Sequence, residues 1–199
     1  PMKKSTKRIK AKWLPFGNVM APALLDGSLP ADAGFDPLGL ARSTNGLYWM
    51  REAEVKHARL AMLAAVGWPL SELWHKQLAS VFGLQSILAA NDRAPSLLNG
   101  GLSSGWASGV LMMSIIIAGL LEGLQMNDGR IFYNSVKPAG YVPGDLQFDP
   151  LRLSKLRSAK DMQAAEIKNG RLAMLAITAY AFQEFATKLP VVQETPYLF

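Results

Sequence analysis

At 199 residues, half of them hydrophobic and 18% charged, the chain has the length of one domain and is apolar for a soluble one. It has no cysteine, which excludes disulfides, thiolate metal sites, iron–sulfur clusters and covalent haem attachment. Its two histidines, His57 and His75, are too few for a multi-histidine metal centre, and its mean hydropathy, slightly positive, suits a few membrane spans with polar connections.

Residues 1–33 read as an N-terminal arm. Lys3, Lys4, Lys7, Arg8, Lys10 and Lys12 all precede the first acid, Asp26, and no aromatic precedes Trp13 in this run. A basic segment without interleaved aromatics does not point to nucleic acid. No cleavable targeting segment is visible, and Pro1 reads as the start of a processed chain. Next comes Phe35-Asp36-Pro37-Leu38, a predicted turn, because Pro fixes its own φ and biases the preceding residue away from helix.

Three predicted helices follow, at about 47–74, 103–126 and 159–185. Trp49 and Trp74 bracket the first, about 38 Å apart at 1.5 Å per residue, and Trp favours membrane interfaces. Pro69 is expected to end or kink it near its far side. The second has no formal charge from Trp106 to Leu121 and reaches the roughly 20 residues a span needs. The connection that follows carries Arg130, Lys137, Arg152, Lys155, Arg157 and Lys160, and a second turn, Phe148-Asp149-Pro150-Leu151, leads into the third helix. Residues 186–199 form a tail. The side opposite the arm has only Lys76, Arg93 and Lys188, so the positive-inside bias places the arm and the 127–158 connection together on the cytoplasm-like face, and the tail across from them.

The first and third helices carry one motif twice. Residues 53–64, Ala-Glu-Val-Lys-His-Ala-Arg-Leu-Ala-Met-Leu-Ala, match residues 165–176 at nine of twelve positions, 112 residues on. Glu54 and Arg59 lie five apart, about 140° around a helix, so they do not face each other, and neither do Glu166 and Arg171. Glu52 and Lys56, at i and i+4, read as a surface pair. An unpaired charge at membrane depth costs several kcal/mol. Two helices crossed about a pseudo-twofold axis remove that cost if Glu54 meets Arg171 and Glu166 meets Arg59. Ala61, Ala64, Ala65, Ala173 and Ala176 let them approach closely.

A carboxylate in such a pair keeps a lone pair for a Lewis acid. His57 and Asn169 hold equivalent places, and imidazole and amide share an available lone pair. Magnesium accepts all three ligand types, and a neutral macrocycle with an open axial site suits the neutral pairs. The plainer reading, local capping or hydrogen bonding by His57 and Asn169, remains beside this one.

These residues resemble the light-harvesting chlorophyll-binding superfamily: Glu54-x-x-His57-x-Arg59 and Glu166-x-x-Asn169-x-Arg171, each followed by Leu-Ala-Met-Leu-Ala, with the two Phe-Asp-Pro-Leu turns. The similarity covers roughly residues 22–185. It implies an all-α membrane protein of three transmembrane helices, in which Glu54, His57, Glu166 and Asn169 each ligate a chlorophyll magnesium. Arg59 and Arg171 would lock the crossed helices. The family's further glutamine falls on Gln183. Glu122, with Gln125 as substitute, would serve the middle helix, unless it is an interfacial helix-end charge. His75 would take another chlorophyll or stay an exposed histidine. The late histidine of green-plant members has no counterpart after Phe185. Phe35, Asp36, Pro37 and Leu38, with Phe148, Asp149, Pro150 and Leu151, would anchor the ends of two carotenoids.

The resemblance further implies chlorophyll a, with or without chlorophyll c, and xanthophyll carotenoids as cofactors. It implies a plastid thylakoid membrane with a stromal arm and a lumenal tail. Trp49 to Glu54, Gly67 to Leu73 and Tyr141 to Leu146 are similar to red-lineage algal antennae, fucoxanthin–chlorophyll proteins among them. Partners would then be a photosystem core, photosystem I first, neighbouring antenna subunits and thylakoid lipids. No nucleophile, general base or redox motif is present, so no enzyme is expected. A quenching antenna, and a small transporter with intramembrane ion pairs, are the alternatives.

Overall fold

The computed structural model describes residues 10–12, 20–103, 105–127, 142–145, 149–150 and 158–196. Phe148 and Leu151, most of the basic arm and most of the 127–158 connection lie outside the described residues. The described elements are α1 (Thr44–Val81), α2 (Gly105–Asn127), α3 (Ala159–Thr187) and α4 (Val191–Glu194), with 3-10 turns at Ala90–Asp92 and Gly101–Ser103. Among the described residues the β structure is one isolated antiparallel bridge, Lys10 to Met20. The expected all-helical class is what folds. The short α4, in the tail, was not foreseen.

α1 begins three residues before its predicted start because Ser43 caps it. The Ser43 hydroxyl accepts the Gly46 N–H at 3.0 Å, and its carbonyl accepts the Leu47 N–H at 2.9 Å. Of the two outcomes expected for Pro69, ending or kinking the helix, the first does not occur: it lies inside α1 and is fully buried. The stop is Gly83. Its φ of +63° permits the left-handed turn, Leu84 N–H reaches back to the Ala79 carbonyl at 2.8 Å, and Gly83 N–H reaches Ser80 at 3.3 Å. That is a Schellman closure, in which glycine meets no Cβ penalty.

α2 runs within two residues of its predicted bounds. Its Val110, Met112, Met113, Ile115, Ile116, Ile117, Leu120, Leu121 and Leu124 are all exposed. Among the described residues no helix is both long and apolar enough to cross a membrane. α1 and α3 carry ionisable side chains through their first halves.

The chain divides into two compact units, residues 1–58 with 126–170 and residues 59–125 with 171–199. In the first unit Val55 and Ala58 of α1 are buried, as are Ile167 and Gly170 of α3. A Cβ on Gly170 would strike the Ala58 side chain and lie 3.0 Å from its Cα. α1 and α3 therefore touch backbone to backbone, at residues 112 positions apart and so equivalent in the repeat. Gly144, at φ +77°, packs on Val55 and donates its N–H to Glu52 Oε2 at 2.6 Å. Glu52 is thus only 5% exposed, which corrects its reading as half of a surface pair, although Lys56 Nζ does stand 3.7 Å from its other oxygen.

In the second unit the buried apolar residues include Ala61, Pro69, Ala79, Ala94, Ala173 and Val191. The connection between α1 and α2 is tied down along its length: Ile87 N–H to His75 Nε2 at 3.0 Å, Lys76 Nζ to Asp92 at 2.6 Å, and Asn91 Nδ2 to the Lys188 carbonyl at 3.3 Å.

Candidate functional site

The two motif copies are buried and exposed in register. Val55, Ala58 and Ala61 are buried, and so are Ile167, Gly170 and Ala173, a stripe at every third residue. The other side matches too. Leu60 and Leu172 are 68% and 67% exposed, and Leu63 and Leu175 are 73% and 71% exposed. His57 and Asn169 belong to this outward side, each exposed. Each copy thus presents one lone-pair donor with a leucine one turn further on, an apolar surface with a single polar point.

The His57 ring has one nitrogen engaged. Nδ1 lies 2.7 Å from the Ala53 carbonyl, which can only accept, so Nδ1 carries the proton. The neutral ring then has its lone pair on Nε2. The plainer reading of a local hydrogen bond is correct for Nδ1 and compatible with a ligand role for Nε2. Among the described residues no hydrogen bond engages the Asn169 side chain, so its carbonyl oxygen can serve a ligand. An imidazole nitrogen and an amide oxygen on an apolar face are donors that a magnesium macrocycle would accept.

Glu54 and Glu166 are half-buried, as are Arg59 and Arg171. Glu54 Oε2 accepts a bond from Arg51 at 2.8 Å, and Arg51 is itself buried. Sequence reasoning missed Arg51, whose i, i+3 spacing from Glu54 was the available signal. Glu122 is half-buried on α2, the Gln125 side chain lies outside the described residues, and Gln183 is exposed on α3.

His75 is used differently from His57. It borders a 260 Å³ cleft, beside Gly67, Trp68 and Ser71 of α1 and Ile87 and Pro95 of the connection. Because its Nε2 accepts the Ile87 N–H, Nδ1 holds the proton and no lone pair is left over. The geometry favours a residue that holds the connection.

The first Phe-Asp-Pro-Leu segment is a turn, as expected. Asp36 Oδ1 accepts Leu40 N–H at 2.9 Å, Oδ2 accepts Ala41 N–H at 3.1 Å, and its carbonyl accepts Gly39 N–H at 3.3 Å. Phe35 and Leu38 project outward, 60% and 75% exposed. Of the second segment only Asp149 and Pro150 are described, and both are exposed.

Two further acids, Glu72 and Glu184, lie on the far halves of α1 and α3. Both bind the connection. Glu72 accepts the N–H groups of Ala94 and Val192, and Glu184, 3% exposed, accepts Asn99 Nδ2. The signal was present, since they too stand 112 residues apart.

Residues 21–185 match the family described as chlorophyll A-B binding protein. The chain is 38% identical over 186 residues to chlorophyll a-b binding protein 7, chloroplastic, of Solanum lycopersicum, covering 88% of this chain and 65% of that one. It is likewise 38% identical over 186 residues to the chlorophyll a-b binding protein, chloroplastic, of Petunia hybrida, with the same coverage of 88% and 65%. Photosystem I chlorophyll a/b-binding protein 5, chloroplastic, of Arabidopsis thaliana is 33% identical over 197 residues, covering 89% and 71%. The chain thus spans just under two thirds of the length of the first two relatives. A match that runs from the segment before the first turn to the end of α3, and takes in both copies of the motif, leaves one conclusion: the chain belongs to the chlorophyll a-b binding protein family.

Proposed function

We propose that the chain is a light-harvesting antenna protein that holds chlorophylls and carotenoids and passes excitation to a photosystem. The observation that carries this is the matched pair of outward faces on α1 and α3. Each bears one lone-pair donor among exposed leucines, with His57 Nε2 left open by the Nδ1 bond to Ala53. Glu54, His57, Glu166 and Asn169 are the central magnesium ligands, with Gln183 and Glu122 further out. His75 joins them only if its bond to Ile87 opens. Bound chlorophyll supplies the absorption and the excitation transfer; the residues set position and orientation.

Arg59 and Arg171 neutralise the ligating glutamates, Glu54 with Arg171 and Glu166 with Arg59. Support comes from the five-residue spacing, which forbids both pairs within one helix. Phe35 and Leu38, held out by the Asp36 turn, suit a carotenoid end, and Asp149 and Pro150 are its repeat counterpart. The action is physical rather than enzymatic, and family membership leaves no place for the transporter alternative.

The three long helices span the thylakoid membrane. α2 supports this with 23 residues, about 34 Å of helix, and large apolar side chains exposed between Val110 and Leu124. The arm and the 127–158 connection face the stroma and the tail the lumen, by their Lys and Arg excess. Cleavage of the tail by protease added to the stromal side of intact thylakoids would contradict that topology. Photosystem I is the preferred partner, as the name of the Arabidopsis relative suggests. The algal subgroup rests on Trp49 to Glu54, Gly67 to Leu73 and Tyr141 to Leu146 alone, whereas the relatives named above are plant proteins.

The absorption spectrum of the purified protein tests the proposal. Chlorophyll a bands with a chlorophyll c shoulder would support the algal antenna, and chlorophyll b bands the plant type. A folded protein that takes up no chlorophyll would refute both. A fluorescence lifetime much shorter than that of antenna-bound chlorophyll would favour quenching, the second reading on the same scaffold.

A further inference from the structure

The duplication does not stop at Ala64 and Ala176. Glu72 and Glu184 are 112 positions apart, and each follows its motif glutamate by 18. Both lie in the second unit, and both converge on one stretch of the connection. Glu72 takes the Ala94 N–H on Oε1 at 3.3 Å and the Val192 N–H on Oε2 at 3.1 Å. Glu184 Oε1 takes Asn99 Nδ2 at 2.7 Å, with Arg93 NH1 at 3.6 Å. Asn99 is a hub: Nδ2 also donates to the Ala94 carbonyl at 2.7 Å, and Oδ1 accepts Ser96 and Gly101 N–H groups at 2.9 and 3.0 Å.

A carboxylate taken out of water needs donors in its place. Glu72 has one on each oxygen and Glu184 has Asn99 on Oε1, while Glu184 Oε2 is buried without a hydrogen-bond partner among the described residues. Here the donors belong to a connection with short 3-10 turns and to a four-residue helix, segments without the run of backbone bonds that a long helix has. Truncating either acid leaves backbone or side-chain donors unsatisfied, so position is lost at both ends of the bond.

We infer that Glu72 and Glu184 are a second duplicated pair of positioning residues. They clamp Arg93–Asn99 and the segment after α3 onto the far halves of α1 and α3, and so fix the setting of the pigment at Gln183. Gln183 is next to Glu184, so the bonds that pin Glu184 also fix the turn of α3 from which the amide projects. Its repeat counterpart is Ser71, whose hydroxyl is spent on the Trp68 carbonyl at 2.7 Å, so this ligand position is not duplicated while its clamp is. The link to Gln183 rests on the ligand reading above; the clamp itself does not.

Two readouts on the full chain, reconstituted with chlorophyll and carotenoid, test this. In hydrogen exchange, Glu72→Ala should speed exchange of the Ala94 and Val192 amides at least tenfold, and Glu72→Gln, which keeps one acceptor oxygen, should restore one of them. In low-temperature absorption, Glu184→Ala should shift or broaden the band that Gln183→Ala removes, and leave in place the band that His57→Leu removes. Should Glu184→Ala not fold, Glu184→Gln, which keeps an acceptor for Asn99 and loses the charge facing Arg93, carries the same spectral comparison. Unchanged protection of Ala94 and Val192 in Glu72→Ala overturns the clamp. Parallel loss of all bands in the Glu184 variant, or no change in the Gln183 band, overturns the positioning role. If Gln183→Ala removes no band, the ligand reading fails, and the exchange result still decides the clamp.

Discussion

Gly170 offers the sharpest test of how α1 and α3 meet. A Cβ added there would run into the Ala58 side chain and stand 3.0 Å from its Cα and 3.5 Å from its carbonyl carbon. None of those atoms can rotate away, so Gly170→Ala must push the helices apart or strain them, an overpacking cost of about 1–3 kcal/mol. Against it stands the helix-propensity gain of replacing a mid-helix glycine, about 0.8–1 kcal/mol. Gly67→Ala isolates that gain, because a Cβ at Gly67 meets nothing within 4 Å. The propensity term cancels between the two variants, and their difference is the clash alone. For a chain of this size the gap in thermal midpoint is roughly 2–4 °C per kcal/mol. Both proteins would be reconstituted with pigment and heated at one scan rate while chlorophyll circular dichroism is followed. Gly67→Ala should match or exceed the parent and Gly170→Ala fall below it. Equal midpoints for the two would refute the backbone contact.

Asp36→Ala removes the acceptor of two backbone N–H groups and should cost about 1–2 kcal/mol, with Asp36→Asn intermediate; thermal melts measure the cost, and carotenoid content after reconstitution should fall with it. Glu166→Ala removes a ligand and, through the proposed pairing, strands Arg59, typically about 3–5 kcal/mol, whereas His57→Leu should lose about one chlorophyll with little loss of stability. Equal stability of those two variants would argue against the cross-pair.

What was legible in the sequence was what repeats. The 112-residue offset identified both motif copies, and the register of Val55 with Ile167 and of Leu60 with Leu172 follows from it. Long-range contacts were not legible. Glu52 looks like a solvated partner of Lys56 until Gly144, 92 residues away, covers it. His75 reads as a ligand or an exposed histidine, and neither reading contains the bond it accepts from Ile87 N–H, 12 residues on. Pro69 is a local stop signal that α1 runs through, and the stop is Gly83. Glu72 and Glu184 obey the same offset, but what they bind, Ala94, Asn99 and Val192, has no local signal.

The central claim is that His57 and Asn169 are equivalent magnesium ligands on twin outward faces. Pigment counts per polypeptide in reconstituted Asn169→His and Asn169→Leu test it most directly. The account predicts that the His variant keeps the full complement, with one band shifted, and that the Leu variant loses about one chlorophyll. Full stoichiometry in the Leu variant would contradict the ligand assignment and the symmetry on which it stands.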